Sequence, residues 1–461
     1  MQNRNSAVRG QRSEVRSQKS GGGGYYSLFT IHCLLLTVFF SLSVLCTPLS
    51  ANTAGDLSLN DLVSEGLKNN PEILVIEARV KAAGYRIPQA KSLPDPMLMF
   101  GYQNEGFNRF TIGDEPNAQG MFGISQMFLF PGKRALKGEM ATKDAESLSA
   151  MYNAARLKVV AKIKELYYDL FLAYKNIDIL KERNELFSRV ESAALARYSS
   201  GMGSQQEVVM AQTEKYMSLE KEEMQKQKIQ SLEGMINAAI GKDVNAFLGR
   251  PGEPPQTPYT YKIEDLLQLV KDNSPEIKSK EKMIQGVEAK VKMAQKEYYP
   301  DVTIGAGYYP RTQGLMDMWS LTATVNLPIY NKTKQSQAVN EANSSLVEAK
   351  RDLKATQYML SSGIRENHSM LKTTENLMKL YKDGLIPKTY QDFELSLAGY
   401  VNGKTEAITV ITRLKTVLDY ETLYWGQFVE REKAIARLEA ITGGVSQGSG
   451  VGDQGLGGST K

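Results

Sequence analysis

The sequence predicts a mainly α protein with a small transmembrane β portion, assembled from one helix–strand–strand–helix–helix unit used twice. Three observations predict it. Landmarks recur in the same order at a nearly constant offset: Pro71-Glu72 with Pro275-Glu276 at 204, Pro94-Asp95 with Pro300-Asp301 at 206, and Gly241 with Gly443 at 202. Each half holds a helical stretch far longer than an ordinary globular helix. Each half also holds two short segments in which apolar and small or polar residues alternate with period two.

Residues 1–51 read as a secretory signal peptide, with an Arg-rich start, a 19-residue apolar run from Leu28 to Cys46, and small Ala51 as the cleavage point. An uncleaved anchor is the rival reading, because a run of that length just spans a bilayer. "SVL" ahead of Cys46 lacks the small residue that lipid attachment there would need. The first repeat covers 52–248 and opens with "LSLNDLVSEGLKNNPEI". Strands follow at about 96–104 and 119–129, and then a proline-free helix from Pro131 to Gly201, about 100 Å long at 1.5 Å per residue. "GRPGEPPQTP", 249–258, reads as a stiff extended linker. The second repeat, 259–443, opens with "YKIEDLLQLVKDNSPEI". It predicts a helix over Ile263–Glu297, strands at about 301–309 and 319–327, a long helix over Ile329–Tyr400, and a last helix over Thr405–Ile441. The two shorter helices together match the long one in length, so they can stack end to end beside it. Pro387, inside the long helix, is expected to kink it. The tail, 444–461, is Gly/Ser-rich and reads as disordered.

The strands carry the sharpest pattern. Val302, Ile304, Ala306 and Tyr308 alternate with Thr303, Gly305 and Gly307. Leu321, Ala323, Val325 and Leu327 alternate with Thr322, Thr324 and Asn326, and Trp319 extends the apolar face. In the first half Phe122, Ile124 and Phe128 share one face, against Met121, Gly123, Ser125 and Met127. One apolar face and one small or polar face fit a half-buried soluble hairpin, and fit equally a barrel with lipid outside and water inside. Four strands cannot close a pore, so the barrel reading requires several chains.

Several function classes drop out. Formal charge is +5, but Arg4, Arg9, Arg12, Arg16 and Lys19 against Glu14 put +4 of it in the first 51 residues. The remaining +1 gives no footprint for nucleic acid. Beyond residue 51 there is no cysteine and a single histidine, His368, expected on a helix surface. That leaves no cysteine nucleophile, no Cys/His metal site and no catalytic constellation, so neither an enzyme nor a cofactor is expected. Met210, Met217 and Met224 repeat every seven residues, which reads as a coiled-coil seam before it reads as a soft-metal ladder.

Two sharp turns interrupt the long helices at matching positions, "RYSSGMG" at Tyr198/Gly201 and "GYVNGK" at Tyr400/Gly403. With the duplicated unit, "NNPEI", "NSPEI" and "LIPKTYQDFELSLAGYVNGK", they give the chain a marked resemblance to the TolC-like outer-membrane efflux family over Leu57–Gly443. "QMFLFPGKR", Gln126–Arg134, is similar to a segment of the heavy-metal efflux branch.

The resemblance implies a homotrimer in the outer membrane of a Gram-negative bacterium. Four strands per chain would form a 12-stranded barrel, and the helices a coiled-coil tube through the periplasm. The implied partners are a periplasmic adaptor protein, an inner-membrane pump of the RND type and outer-membrane lipid. Docking on the adaptor would fall to Tyr198, Gly201, Met202, Gly203, Tyr400, Asn402, Gly403 and Lys404. The periplasmic gate would involve Gln206, Glu207, Thr405, Thr409 and Thr412. Three threonines stand where the family's gate charges are expected, which leaves Glu207 to form an acidic ring or to be a solvated helix acid. The lipid face would comprise Phe122, Ile124, Phe128, Val302, Ile304, Trp319, Leu321 and Val325. The competing functions are an outer channel for type I secretion and, from another class, a membrane-anchored structural coiled coil.

Overall fold

The computed structural model describes residues 57–444, apart from 113 and 313. The signal-peptide reading, both cysteines and the tail beyond Gly444 lie outside the described residues. In chain order the elements are α1 (Leu59–Asn69), α2 (Pro71–Lys91), β1 (Met97–Gln103), β2 (Gln119–Phe128), α3 (Lys133–Ser199), α4 (Gln205–Ile240), α5 (Ile263–Asn273), α6 (Pro275–Lys296), β3 (Val302–Tyr309), β4 (Met318–Val325), α7 (Ser336–Leu380), α8 (Ile386–Val401) and α9 (Ala407–Thr442). The strands form one antiparallel sheet in the order β1-β2-β3-β4. No helix among the described residues is long and apolar enough to cross a membrane.

The helices run as stacked pairs. Ser147 of α3 bonds Ser279 of α6, while further along α3 Lys164 pairs with Glu439 and Asp169 with Lys433, both on α9. So α6 and then α9 lie antiparallel along α3, and both also pack on α7. The main core lies where these runs meet, around Ile163, Leu170, Phe171, Ile236, Ile240 and Val429.

The repeated motifs explain one another. Asn70 caps α2 by accepting from the backbone N–H groups of Glu72 and Ile73, and its side-chain amide donates to the Ala239 carbonyl at 2.7 Å. Next to it the Asn69 carbonyl approaches Gly241, where a Cβ would sit 2.5 Å from that oxygen. The second half repeats this, with Asn273 against Gly443 at 2.9 Å. Each "PEI" opening therefore rests on the glycine that ends its own repeat.

Three expectations need correction and one gains detail. The helix expected over Ile263–Glu297 is two helices, because Ser274 precedes Pro275 and takes an extended conformation, ψ 120°. Around Pro387 the long helix is irregular without ending. A π turn over Tyr381–Leu385 precedes it, with the Ile386 N–H bonded to the Tyr381 carbonyl, and the chain stays helical from Ser336 to Val401. His368 is buried rather than on the surface, because α7 turns Ile364, Asn367, His368 and Leu371 to its packed side. Met217 and Met224 are exposed while Met210 packs against the core below the turns, so the stripe is only partly packed within the chain.

Candidate functional site

The two reversals close with identical backbone chemistry. Gly201 and Gly403 have φ of 75° and 71°. The Met202 N–H donates to the Arg197 carbonyl and Gly201 N–H to that of Tyr198. In the second turn the Lys404 N–H donates to Gly399 and the Gly403 N–H to Tyr400. These are the paired bonds of a Schellman cap, which needs a left-handed residue and therefore favours glycine. Gly241 closes α4 the same way, so the cap alone does not mark a special site.

What sets the two turns apart is a cross-link between them. Arg197, at the end of α3, donates from Nη1 to the Tyr400 carbonyl at 2.8 Å and from Nη2 to the Met202 carbonyl at 2.9 Å. Its guanidinium also lies 4.9 Å from the centre of the Tyr400 ring. The Tyr400 hydroxyl then donates to Glu207 Oε2 at 2.6 Å. Burial, and after it the Glu207 carboxylate, raises the Tyr400 pKa, so the hydroxyl stays a donor. One residue from each of three helices is thereby locked above a core of Phe187, Val190, Phe393, Leu397, Val410 and Leu414. Tyr198, the sequence counterpart of Tyr400, is exposed and not part of this lock.

The remaining expected gate residues are scattered. Gln206 is exposed in a groove of about 420 Å³ lined also by Val209, Met210 and Ile411. Thr405 packs its hydroxyl against Gly399, Thr409 is half-buried, and Thr412 is exposed with its hydroxyl bonded to the Ile408 carbonyl. Met202, Asn402 and Lys404 are exposed around the turns, and Gly203 half so. Arg197 was not legible as a site residue, since the repeat aligns it with Gly399 and hides its role.

The other end is the sheet. Its register pairs Phe122 with Tyr308, Ile124 with Ala306, Phe128 with Val302, Ile304 with Ala323, Leu321 with Ala306, Trp319 with Tyr308 and Val325 with Val302. Directly paired residues share a face, so these form one largely apolar surface, interrupted by Gln126 opposite Ile304 and extended onto β1 by Leu98 and Phe100. It is uncovered in the chain, Trp319 being 79% and Leu321 72% exposed. The opposite face carries Thr303, Gly305, Gly307, Ser320, Thr322 and Thr324.

A buried clamp joins sheet to helices. Lys133 Nζ, 1% exposed as a residue, lies 3.0 Å from Asp301 Oδ1, 3.4 Å from Glu297 Oε2, and donates to the Tyr299 carbonyl at 3.0 Å. The Phe130 N–H donates to Asp301, and the Phe130 ring stacks on Tyr299 at 4.5 Å. The lysine of "FPGKR" is thus an internal tie between the β2–α3 and α6–β3 junctions.

An open sheet with a bare apolar face, on a long double helical hairpin, defines a channel subunit that spans a membrane by strands and projects from it by helices. The chain belongs to the outer membrane efflux protein family, whose model matches residues 62–242 and 266–444, one block per repeat. It is 20% identical over 395 residues to the cobalt-zinc-cadmium resistance protein CzcC of Cupriavidus metallidurans, covering 85% of this chain and 91% of that one. It is also 20% identical over 349 residues to the probable outer membrane lipoprotein SilC of Salmonella typhimurium, covering 71% and 69%. Among solved structures it resembles the outer membrane protein VceC of Vibrio cholerae, with a TM-score of 0.72 at 17% identity over 84% of this chain and 96% of that chain. It resembles CusC similarly, with a TM-score of 0.70 at 13% identity over 84% and 92%. The protein is an outer-membrane efflux channel. Its family works with an adaptor and an inner-membrane pump, and its fold is that of trimeric channels rather than of enzymes.

Proposed function

We propose that three copies of this chain close their sheets into one 12-stranded barrel and conduct metal cations delivered by an adaptor and an RND-type pump. The observation that carries this reading is the sheet itself. Its lipid-suited face is apolar apart from Gln126 opposite Ile304, yet β1 and β4 each have a neighbour on one side only. In a bilayer every strand edge must be paired, so β4 of one copy has to meet β1 of the next. The apolar face bearing Phe122, Ile124, Phe128, Val302, Ile304, Trp319, Leu321 and Val325 then contacts lipid. The turns around Gly201 and Gly403 lie at the far end of the helices and dock the adaptor. The Arg197–Tyr400–Glu207 lock holds the two hairpins together and keeps the periplasmic mouth closed. Glu207, bound to Tyr400 within its own chain, acts in this reading as a latch partner rather than as a free member of an acidic ring.

Metal cargo is supported by the resistance proteins to which the chain is similar, and by the likeness of "QMFLFPGKR" to the heavy-metal branch. A type I secretion channel uses the same architecture, and the pump genes beside this one separate the two. A structural coiled coil does not account for the bare apolar sheet. Membrane fractionation with the mass of the detergent-purified protein tests the proposal: outer-membrane trimer supports it, and a monomer in the soluble fraction overturns it.

A further inference from the structure

The face of the sheet opposite the lipid surface has an unexpected composition. Across the four strands there is no Asp, Glu, Lys, Arg, His or Cys. Most positions on this face are Gly, Ser, Thr or Gln, as a water-facing surface requires. Methionines interrupt it, four on the β1–β2 hairpin and Met318 at the start of β4, paired with Tyr309. The register pairs Met99 with Gly123, Met121 with Gly101, Met97 with Ser125 and Met127 with Thr303, which puts all four on this face.

The first two are interlocked. A Cβ at Gly101 would lie 2.7 Å from the Met121 methyl, and one at Gly123 would lie 3.2 Å from the Met99 methyl. Each side chain therefore crosses to the neighbouring strand and rests over a glycine, on adjacent rows of the hairpin. Met97 and Met127 lie on the following rows along the opposite diagonal, Met97 paired with Ser125 and Met127 with Thr303 rather than over a glycine. Met97 and Met99 remain 62% and 48% exposed, so the group is open to whatever fills the space beside it.

We infer that the Met97, Met99, Met121 and Met127 thioethers on the inner face of the β1–β2 hairpin form a transit site for soft monovalent cations, Cu(I) or Ag(I). Thioethers are soft ligands that select such ions, and the absence of carboxylates and imidazoles on these strands leaves a hard divalent cation nothing to exchange its water for. The ligands are neutral and mobile, which suits a site that must also release its ion. Three hairpins around one barrel would repeat the site around the passage. The inference rests on the proposed barrel, in which this face lines the lumen.

Two measurements test it on the purified, assembled channel. The first is calorimetric titration with silver nitrate in chloride-free buffer, and in parallel with Zn(II). The chain should bind Ag(I) and not Zn(II). The variant with Met97, Met99, Met121 and Met127 all changed to Leu, which keeps the volume, should still assemble and lose the Ag(I) signal. A Met217→Leu/Met224→Leu control on the exposed α4 stripe should keep it. Silver binding unchanged in the four-Leu channel, or absent from the parent, overturns the inference. The second measurement separates this from failure of the barrel. A charged thiol reagent should label Met99→Cys, and leave Leu98→Cys on the opposite face unlabelled, with the parent as blank. The reverse pattern overturns the lumen assignment itself, and the site with it.

Discussion

Arg197→Ala should open the channel without unfolding it. The guanidinium contributes one charge-assisted bond to the Tyr400 carbonyl at 2.8 Å and a stacking contact with the Tyr400 ring at 4.9 Å, and these alone reach the other hairpin. Its bond to the Met202 carbonyl stays within its own turn and aims the side chain. A charged hydrogen bond is worth about 1.5–3 kcal/mol net, and a part-exposed cation–π contact about 0.5–1 kcal/mol. The loss is therefore about 2–4 kcal/mol per chain, which raises the population of separated hairpins by about 30- to 1000-fold. The core beneath, from Phe187 to Leu414, is untouched, so the oligomer should survive. Tyr400→Phe keeps the ring and loses only the bond to Glu207, so it should open less. Alkaline pH should reproduce that effect. The Tyr400 hydroxyl has its pKa raised above 10.0 in the folded protein, so the latch is complete below pH 10 and is lost as pH rises beyond it. Single-channel recording in a planar bilayer measures the open fraction directly. An Arg197→Ala channel no more open than its parent refutes the latch.

Three further outcomes follow from the same geometry. Gly403→Val should impair export more than Gly201→Val at equal trimer level. Both strain a positive φ, but a Cβ at Gly403 also meets Arg197 Nη1 at 3.2 Å whereas Gly201 is open, and metal-resistance plating reads the difference. Arg at Val325, on the lipid face, should cost about 2–4 kcal/mol and deplete assembled trimer, while Arg at its neighbour Thr324 should be mild. Lys133→Met leaves Asp301 buried without its cation and should destabilise the strand–helix junction by about 3–5 kcal/mol, read as a lower melting temperature and partly rescued by adding Asp301→Asn.

The large features of the fold were legible because they are periodic. The repeat, the long helices and the alternating strands each impose a pattern over many residues, and the register puts Phe122, Val302, Leu321 and their neighbours on one side of the sheet. The two glycine turns were legible because a left-handed cap admits few residues. What the sequence hid were single side chains whose meaning depends on a distant partner. Arg197 lies opposite Gly399 in the repeat alignment, and nothing local shows that it reaches Tyr400, 203 positions on. Lys133 sits in a basic segment, and nothing local shows that it reaches Asp301, 168 positions on. The break at Ser274 was readable from Pro275 alone, since the residue before proline avoids the helical region. Helical periodicity through the whole segment outweighed that local signal.

The central claim is that open four-stranded sheets close on themselves in threes. Cysteine pairs placed on the same face of the two edge strands test it most directly, one at Met97, Met99 or Gly101 of β1 and one at Ser320, Thr322 or Thr324 of β4. Oxidised in outer membranes and run on a denaturing gel, at least one pairing should give covalent dimer and trimer and stop there. Monomer alone from every pairing, or a ladder that continues past three chains, would contradict the closed trimeric barrel.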